Sequence, residues 1–158
     1  MCSPWGLMGA YSLFLPSPLK PAITYGEFPF ELVYTMEGET IVINDIYVCE
    51  FAGFTFNEAT LTKFRSWVGY VKSTGEDHII LKQDENIQLI CTVGCPEYYM
   101  KDPDYISSPP VPKIMRISST QNGISIGGER NEVEALMKQF QIELVSWVFS
   151  EPINNSYK

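Results

Sequence analysis

The first long pattern in the chain is an alternation: Phe28, Phe30, Leu32, Tyr34 and Met36 stand at every second position, with Glu31 and Thr35 between them. Side chains two apart share one face of an extended strand, so this stretch predicts a strand with an apolar face. Glu37, Gly38 and Glu39 offer a turn, and the β-branched and aromatic residues from Ile41 to Phe51 supply one or two returning strands, together an antiparallel hairpin. Phe64 to Lys72, Ile79 to Lys82 and Ile87 to Val93 are further strand candidates. Ser73 to Glu76 and Asp84 to Asn86 provide the small and polar residues of the turns between them, and a three-stranded meander is the simplest arrangement. Leu61, Phe64, Trp67 and Val68 also fit helical spacing, but the strand reading is preferred for this stretch.

From Gly94 to Pro112 five prolines accompany Tyr98, Tyr99 and Tyr105, so regular structure should largely fail and a long loop is predicted. Ile114 to Ser118 and Ile124 to Ile126 flank Thr120 to Gly123, where Asn122-Gly123 tolerates the positive φ of a tight hairpin. The period then changes. Val133, Leu136, Met137 and Phe140 fall at i, i+3, i+4 and i+7, which predicts a helix over 129–140 with its apolar side toward the core. Glu129 and Glu132 near its start and Lys138 near its end suit the helix dipole. Ile142 to Phe149 alternates again and should rejoin the sheet. The predicted class is α+β: a mainly antiparallel sheet of meanders and hairpins with one C-terminal amphipathic helix.

Composition bounds the rest. A chain of 158 residues with 45% apolar content suits one domain with one core, and nine Phe, nine Tyr and three Trp supply large rings for it. Eleven basic residues against nineteen acidic ones give a net charge of −8 and no basic run, which argues against a nucleic-acid partner. The four cysteines, Cys2, Cys49, Cys91 and Cys95, follow neither a disulfide framework nor a zinc-ribbon spacing, and a local Cys91–Cys95 disulfide stays open beside two free thiols.

Trp5 to Leu15 is almost wholly apolar, and the first charged side chain is Lys20. As a helix the stretch would span roughly 16 Å, about half of a 30 Å hydrocarbon core. It has no basic leading segment of a signal peptide. Residues 1–21 are therefore expected to be either an irregular apolar arm or the outer end of a truncated membrane anchor. Pro16, Pro18 and Pro21 would form a stiff linker into a single β-rich domain over 22–158.

Catalytic motifs fail on context. Gly123-Ile124-Ser125-Ile126-Gly127 has the form of a serine-hydrolase elbow, but the sole histidine, His78, precedes it, against the order the hydrolase fold requires. His78 beside Glu76 and Asp77 fits a solvated turn better than an acid–base or metal role. Asp102-Pro103-Asp104 with Glu97 offers oxygen ligands without the EF-hand pattern, so neither a metal nor a cofactor is expected. The candidate partner-binding residues are Glu97, Tyr98, Tyr99 and Tyr105 on the long loop, flanked by Trp67 and Tyr70 as aromatic neighbours. Against this stands the reading in which the same rings pin the loop to the sheet.

Tyr25-Gly26-Glu27-Phe28-Pro29-Phe30, Cys49-Glu50-Phe51, Glu97-Tyr98-Tyr99-Met100, Ser146-Trp147 and the ending from Pro152 to Lys158 resemble a family of small uncharacterised proteins of Gram-positive bacteria. The resemblance implies an N-terminal transmembrane helix ahead of the β-rich domain, a pattern that this chain enters late, and it transfers no functional residue. The combined expectation is an envelope-associated, non-enzymatic binding module at the extracytoplasmic face of the cell membrane, with an unknown protein or cell-wall component as partner. Two alternatives stand beside it: a cytoplasmic immunity-type protein that neutralises a basic toxin, and a cryptic small hydrolase.

Overall fold

The computed structural model describes residues 14–105, 108–121 and 123–158. The strands among them are β1 (Tyr25–Met36), β2 (Glu39–Asn57), β3 (Thr62–Val71), β4 (His78–Asp84), β5 (Ile87–Thr92), β6 (Lys113–Thr120), β7 (Gly123–Gly127) and β8 (Ile142–Phe149). The helices are α1 (Pro96–Tyr99) and α2 (Arg130–Gln139). The strands form two antiparallel four-stranded sheets, ordered β3-β2-β1-β8 and β4-β5-β6-β7.

The alternation from Phe28 onward has the expected outcome: Phe28, Phe30, Leu32 and Tyr34 are buried along one face of β1. The returning segment is one strand of 19 residues. Its first part pairs with β1, from Met36↔Glu39 to Tyr25↔Glu50, and its second part runs on to pair with β3, from Tyr47↔Val71 to Asn57↔Thr62. The expected meander over 64–93 is therefore divided. β3 belongs to the first sheet, while β4 and β5 pair with each other in the second. Alternation shows which residues face inward, but it does not show that β2 is long enough to hold two neighbours and so take β3 for itself.

The last strand closes the first sheet against the first: β8 pairs with β1 from Phe30↔Phe149 to Met36↔Ile142. That range explains how Pro29 is tolerated in an inner strand. β8 ends opposite Phe30, so at Pro29 the side of β1 that lacks an N–H has no neighbouring strand to bond.

Both sheets contribute to one core. Phe28, Leu32, Tyr47, Cys49 and Val71 from the first sheet meet Ile79, Leu81, Leu89 and Cys91 from the second, with Val93, Tyr99 and Met100 from the segment that follows β5. α2 follows β7 and precedes β8, and so joins the two sheets at one side. Its apolar positions are only half-buried: Leu136 and Met137 pack against the core, and no residue of α2 is fully buried.

Residues 1–13, which hold most of the apolar arm or anchor, lie outside the described residues. The end of the linker is part of the fold. Pro21 bridges Tyr157, the Lys20 amide donates to the Lys158 carbonyl at 2.9 Å, and the Lys158 amide donates back to Lys20 at 3.0 Å. Among the described residues no helix is long and apolar enough to cross a membrane.

Candidate functional site

The long loop after β5 is held down by a buried ion pair. Within β3, Arg65, Trp67, Gly69 and Val71 share the inward face by their two-residue spacing, so Arg65 enters the protein interior and needs a counter-charge there. Asp102 supplies it. The carboxylate accepts Arg65 Nη2 on Oδ1 at 2.6 Å and Arg65 Nε on Oδ2 at 2.8 Å. Oδ2 also accepts Trp67 Nε1 at 2.9 Å, and Oδ1 accepts the Asp104 amide at 3.0 Å. The side chains of Arg65 and Asp102 are 3% and 6% exposed.

Arg65 reaches further. Its Nη1 donates to the Leu19 carbonyl at 3.0 Å, its Nη2 also bonds Asp104, and its guanidinium lies 4.9 Å from the centre of the Tyr157 ring. One side chain thus ties together the linker, the long loop and the C-terminal tail. Burial disfavours the charged form of Asp102, but the hydrogen bonds from Arg65, Trp67 and the Asp104 amide outweigh it and hold the carboxyl below its ordinary value. The bonds to Asp102 raise the Arg65 value in turn.

Above this pair a notch of about 190 Å³ opens, lined by Phe64, Arg65, Glu97, Asp102, Asp104 and Tyr105. Phe64 and Tyr105 are 43% and 44% exposed, so two ring surfaces flank it. Its single guanidinium faces the carboxylates of Glu97, Asp102 and Asp104, which leaves two net negative charges. Glu97 lies in the first turn of α1, where its Oε2 accepts the Cys95 thiol at 3.2 Å.

The structure separates the four loop residues proposed from sequence. Glu97 and Tyr105 meet at the notch. Tyr99 is fully enclosed, stacked on Phe28 at 4.4 Å between ring centres and 5.7 Å from Tyr47, so its ring offers no surface to a partner. Tyr98 is half-buried with its edge toward Tyr99 and Phe149. Trp67 is buried beneath the loop, and Tyr70 lies on the other face of β3, where its hydroxyl donates to Glu50 at 3.0 Å. Sequence reasoning missed Arg65 and Cys95. A charged residue in phase with Trp67, Gly69 and Val71 was the available signal for Arg65.

Catalytic chemistry finds little support in these groups. Burial, with Glu97 alongside, pushes the Cys95 thiol up, the reverse of what a nucleophilic thiolate requires. Cys91 is pushed up to about 12 by burial alone, and Cys49 is raised by burial too; Cys49, Cys91 and Cys95 are all free thiols. Ser125 lies exposed within β7 rather than on a strand-to-helix elbow. His78 Nδ1 is 2.7 Å from Asp77 Oδ1, and among the described residues no hydroxyl or thiol joins this pair. Glu76, Asp77 and His78 do bring three ligand atoms within 4.8 Å of one another at the start of β4. A larger groove of about 550 Å³ runs between α2 and β6. Its lining mixes Ile114, Val133, Met137 and Leu144 with charges of both signs, Lys113, Arg130 and Glu134, and no set of polar groups converges there. Compared with known protein families, with curated proteins and with solved structures, the chain matches none of them.

Proposed function

We propose that this protein is a non-enzymatic interaction module of the cell envelope that takes a cationic group of its partner into the Glu97–Asp104–Tyr105 notch. The observation that carries the reading is the fixed position of the notch. The Arg65–Asp102 pair anchors the loop at Asp102 beneath the notch, which lowers the ordering cost of presenting the carboxylates and two ring faces to a partner. A Lys or Arg side chain, or an amine of a cell-wall component, gains both the charge and cation–π contact with Phe64 or Tyr105, which is about 0.5–1 kcal/mol at an exposed site. Envelope association is supported by the apolar stretch from Trp5 to Leu15 and by Arg65, which binds the linker carbonyl of Leu19 and the notch together.

The test is binding of the purified protein to cell-wall fragments and to membrane extracts, repeated with Glu97→Gln and Asp104→Asn combined. The two neutral side chains keep the shape and remove the charge, so at least a tenfold loss of affinity is expected. Unchanged binding by a folded double variant removes the notch from the proposal, and absence of binding to every envelope fraction sinks the envelope reading. The net charge of −8 favours a second reading, neutralisation of a basic protein toxin. Binding confined to a basic protein in the extract would select it.

A further inference from the structure

The two sheets have four edge strands, β3 and β8 on the first and β4 and β7 on the second. Exposed edges invite pairing with another chain, and proteins prevent this with charged side chains and bulges. Three of the four edges have both devices. β3 carries Lys63 and Arg65, β4 carries Lys82 and Asp84, and β8 carries Glu143. Each of these strands also has a register shift against its inner neighbour. β7 has neither. Its sequence is uncharged, its pairing with β6 runs unbroken from Thr120↔Gly123 to Arg116↔Gly127, and Ile124 and Ile126 are 74% and 65% exposed.

We propose that β7 is a self-association edge that pairs antiparallel with β7 of a second copy of this chain, about a two-fold axis at Ser125. The occupant follows from the sequence of the strand. Gly123-Ile124-Ser125-Ile126-Gly127 reads the same in both directions. Antiparallel pairing about Ser125 therefore sets serine against serine, Ile124 against Ile126 of the second copy, and glycine against glycine, the self-complementarity that an isologous interface requires. Ile126 already stands across from Ile117 within the sheet, so the pairing extends an apolar row from one copy into the next. Charge permits the same register. Glu129 comes opposite Gln121 of the second copy, and no like charges meet although each chain carries −8.

The size of the contact sets its strength. A five-residue strand spans roughly 17 Å, short for the roughly 800 Å² per partner of a stable complex. The dimer is accordingly weak and concentration-dependent.

Sedimentation of the full chain from about 1 µM to about 1 mM should show a monomer passing to a dimer in the upper part of that range. Ser125→Lys places two ammonium groups across the axis and should weaken association at least tenfold, as should Ser125→Glu with two carboxylates. An equimolar mixture of the two variants should restore it, because Lys then meets Glu. A monomer at every concentration overturns the proposal, and so does a dimer that neither substitution weakens, which would place association at the apolar N-terminal stretch or another surface. Near-ultraviolet circular dichroism checks that the variants are folded. Should either fail to fold, amide exchange at Ile124 and Ile126 in the unmodified chain decides instead: slowing with concentration supports the edge, and no change overturns it.

Discussion

Asp102→Asn is the most informative single substitution in this protein, because the change is nearly isosteric and every acceptor position of the carboxylate is in use. Oδ1 accepts Arg65 Nη2 and the Asp104 amide, while Oδ2 accepts Arg65 Nε and Trp67 Nε1. An asparagine must replace one oxygen with an NH₂ group, and in either orientation that donor faces two others. Two hydrogen bonds are lost, their donors stay buried, and Arg65 keeps only Asp104, 70% exposed, as its ionic partner. Removing one member of a buried ion pair costs about 3–5 kcal/mol, a large share of the roughly 5–15 kcal/mol that holds a domain folded. Urea unfolding at pH 7 should show a loss of that size. The acid limb adds a second readout. The folded-state value of Asp102 is lowered, so its contribution is complete above the unfolded-state value of about 3.9 and disappears as pH falls through the folded-state value. The gap between the native protein and the variant should thus be constant above about pH 5 and narrow in stronger acid. A loss below about 1 kcal/mol at pH 7, the level of a surface pair, or a gap that does not narrow in acid, would refute the account of Arg65 and Asp102 as the lock on the loop.

Tyr99→Phe should leave stability unchanged or raise it by about 1 kcal/mol in thermal unfolding, since the Tyr99 hydroxyl is buried with no partner among the described residues and its loss removes an unmet desolvation cost. Gly94→Ala should destabilise by about 1–3 kcal/mol in urea unfolding, because an added Cβ collides with the Tyr47 ring in the core. A neutral result would show that Tyr47 moves freely. Thiol labelling of the folded protein at pH 8, followed by peptide mapping, should modify Cys95 well before Cys49 and Cys91, which are buried and whose thiols are strongly raised; equal rates would indicate that the core opens on the labelling timescale.

What was legible in the sequence was local. The two-residue alternation in Phe28 to Met36 and the chain reversal between 114–118 and 124–126 both depend on neighbours in the chain; the first corresponds to β1 and the second to the pairing of β6 with β7, while Asn122 itself lies outside the described residues. Over 129–140 the helical period coincides with α2, but the extent to which that helix buries its apolar side depends on how far apart the two sheets lie, which no local pattern encodes. The division of strands between sheets was not legible either, because β2 is shared between β1 and β3 along a length that alternation does not limit. At the candidate site, Glu97 and Tyr105 could be picked from the loop composition. Arg65 and Asp102 are 37 positions apart and become partners only through the fold. Tyr98 and Tyr99 are adjacent in sequence, yet one lines the core and the other its margin, a difference decided by the single turn of α1.

The pairing of β1 with β8 has a consequence for biosynthesis. Phe30 stands opposite Phe149, the last residue of β8, so β1 obtains its second neighbour only when nearly the whole domain has left the ribosome. At about 5–20 residues per second that interval is roughly 6–24 s. Throughout it, one side of β1 waits as an open template beside the rings of Phe28 and Phe30, and the nascent chain depends on a chaperone or on fast closure by β8 to escape mispairing.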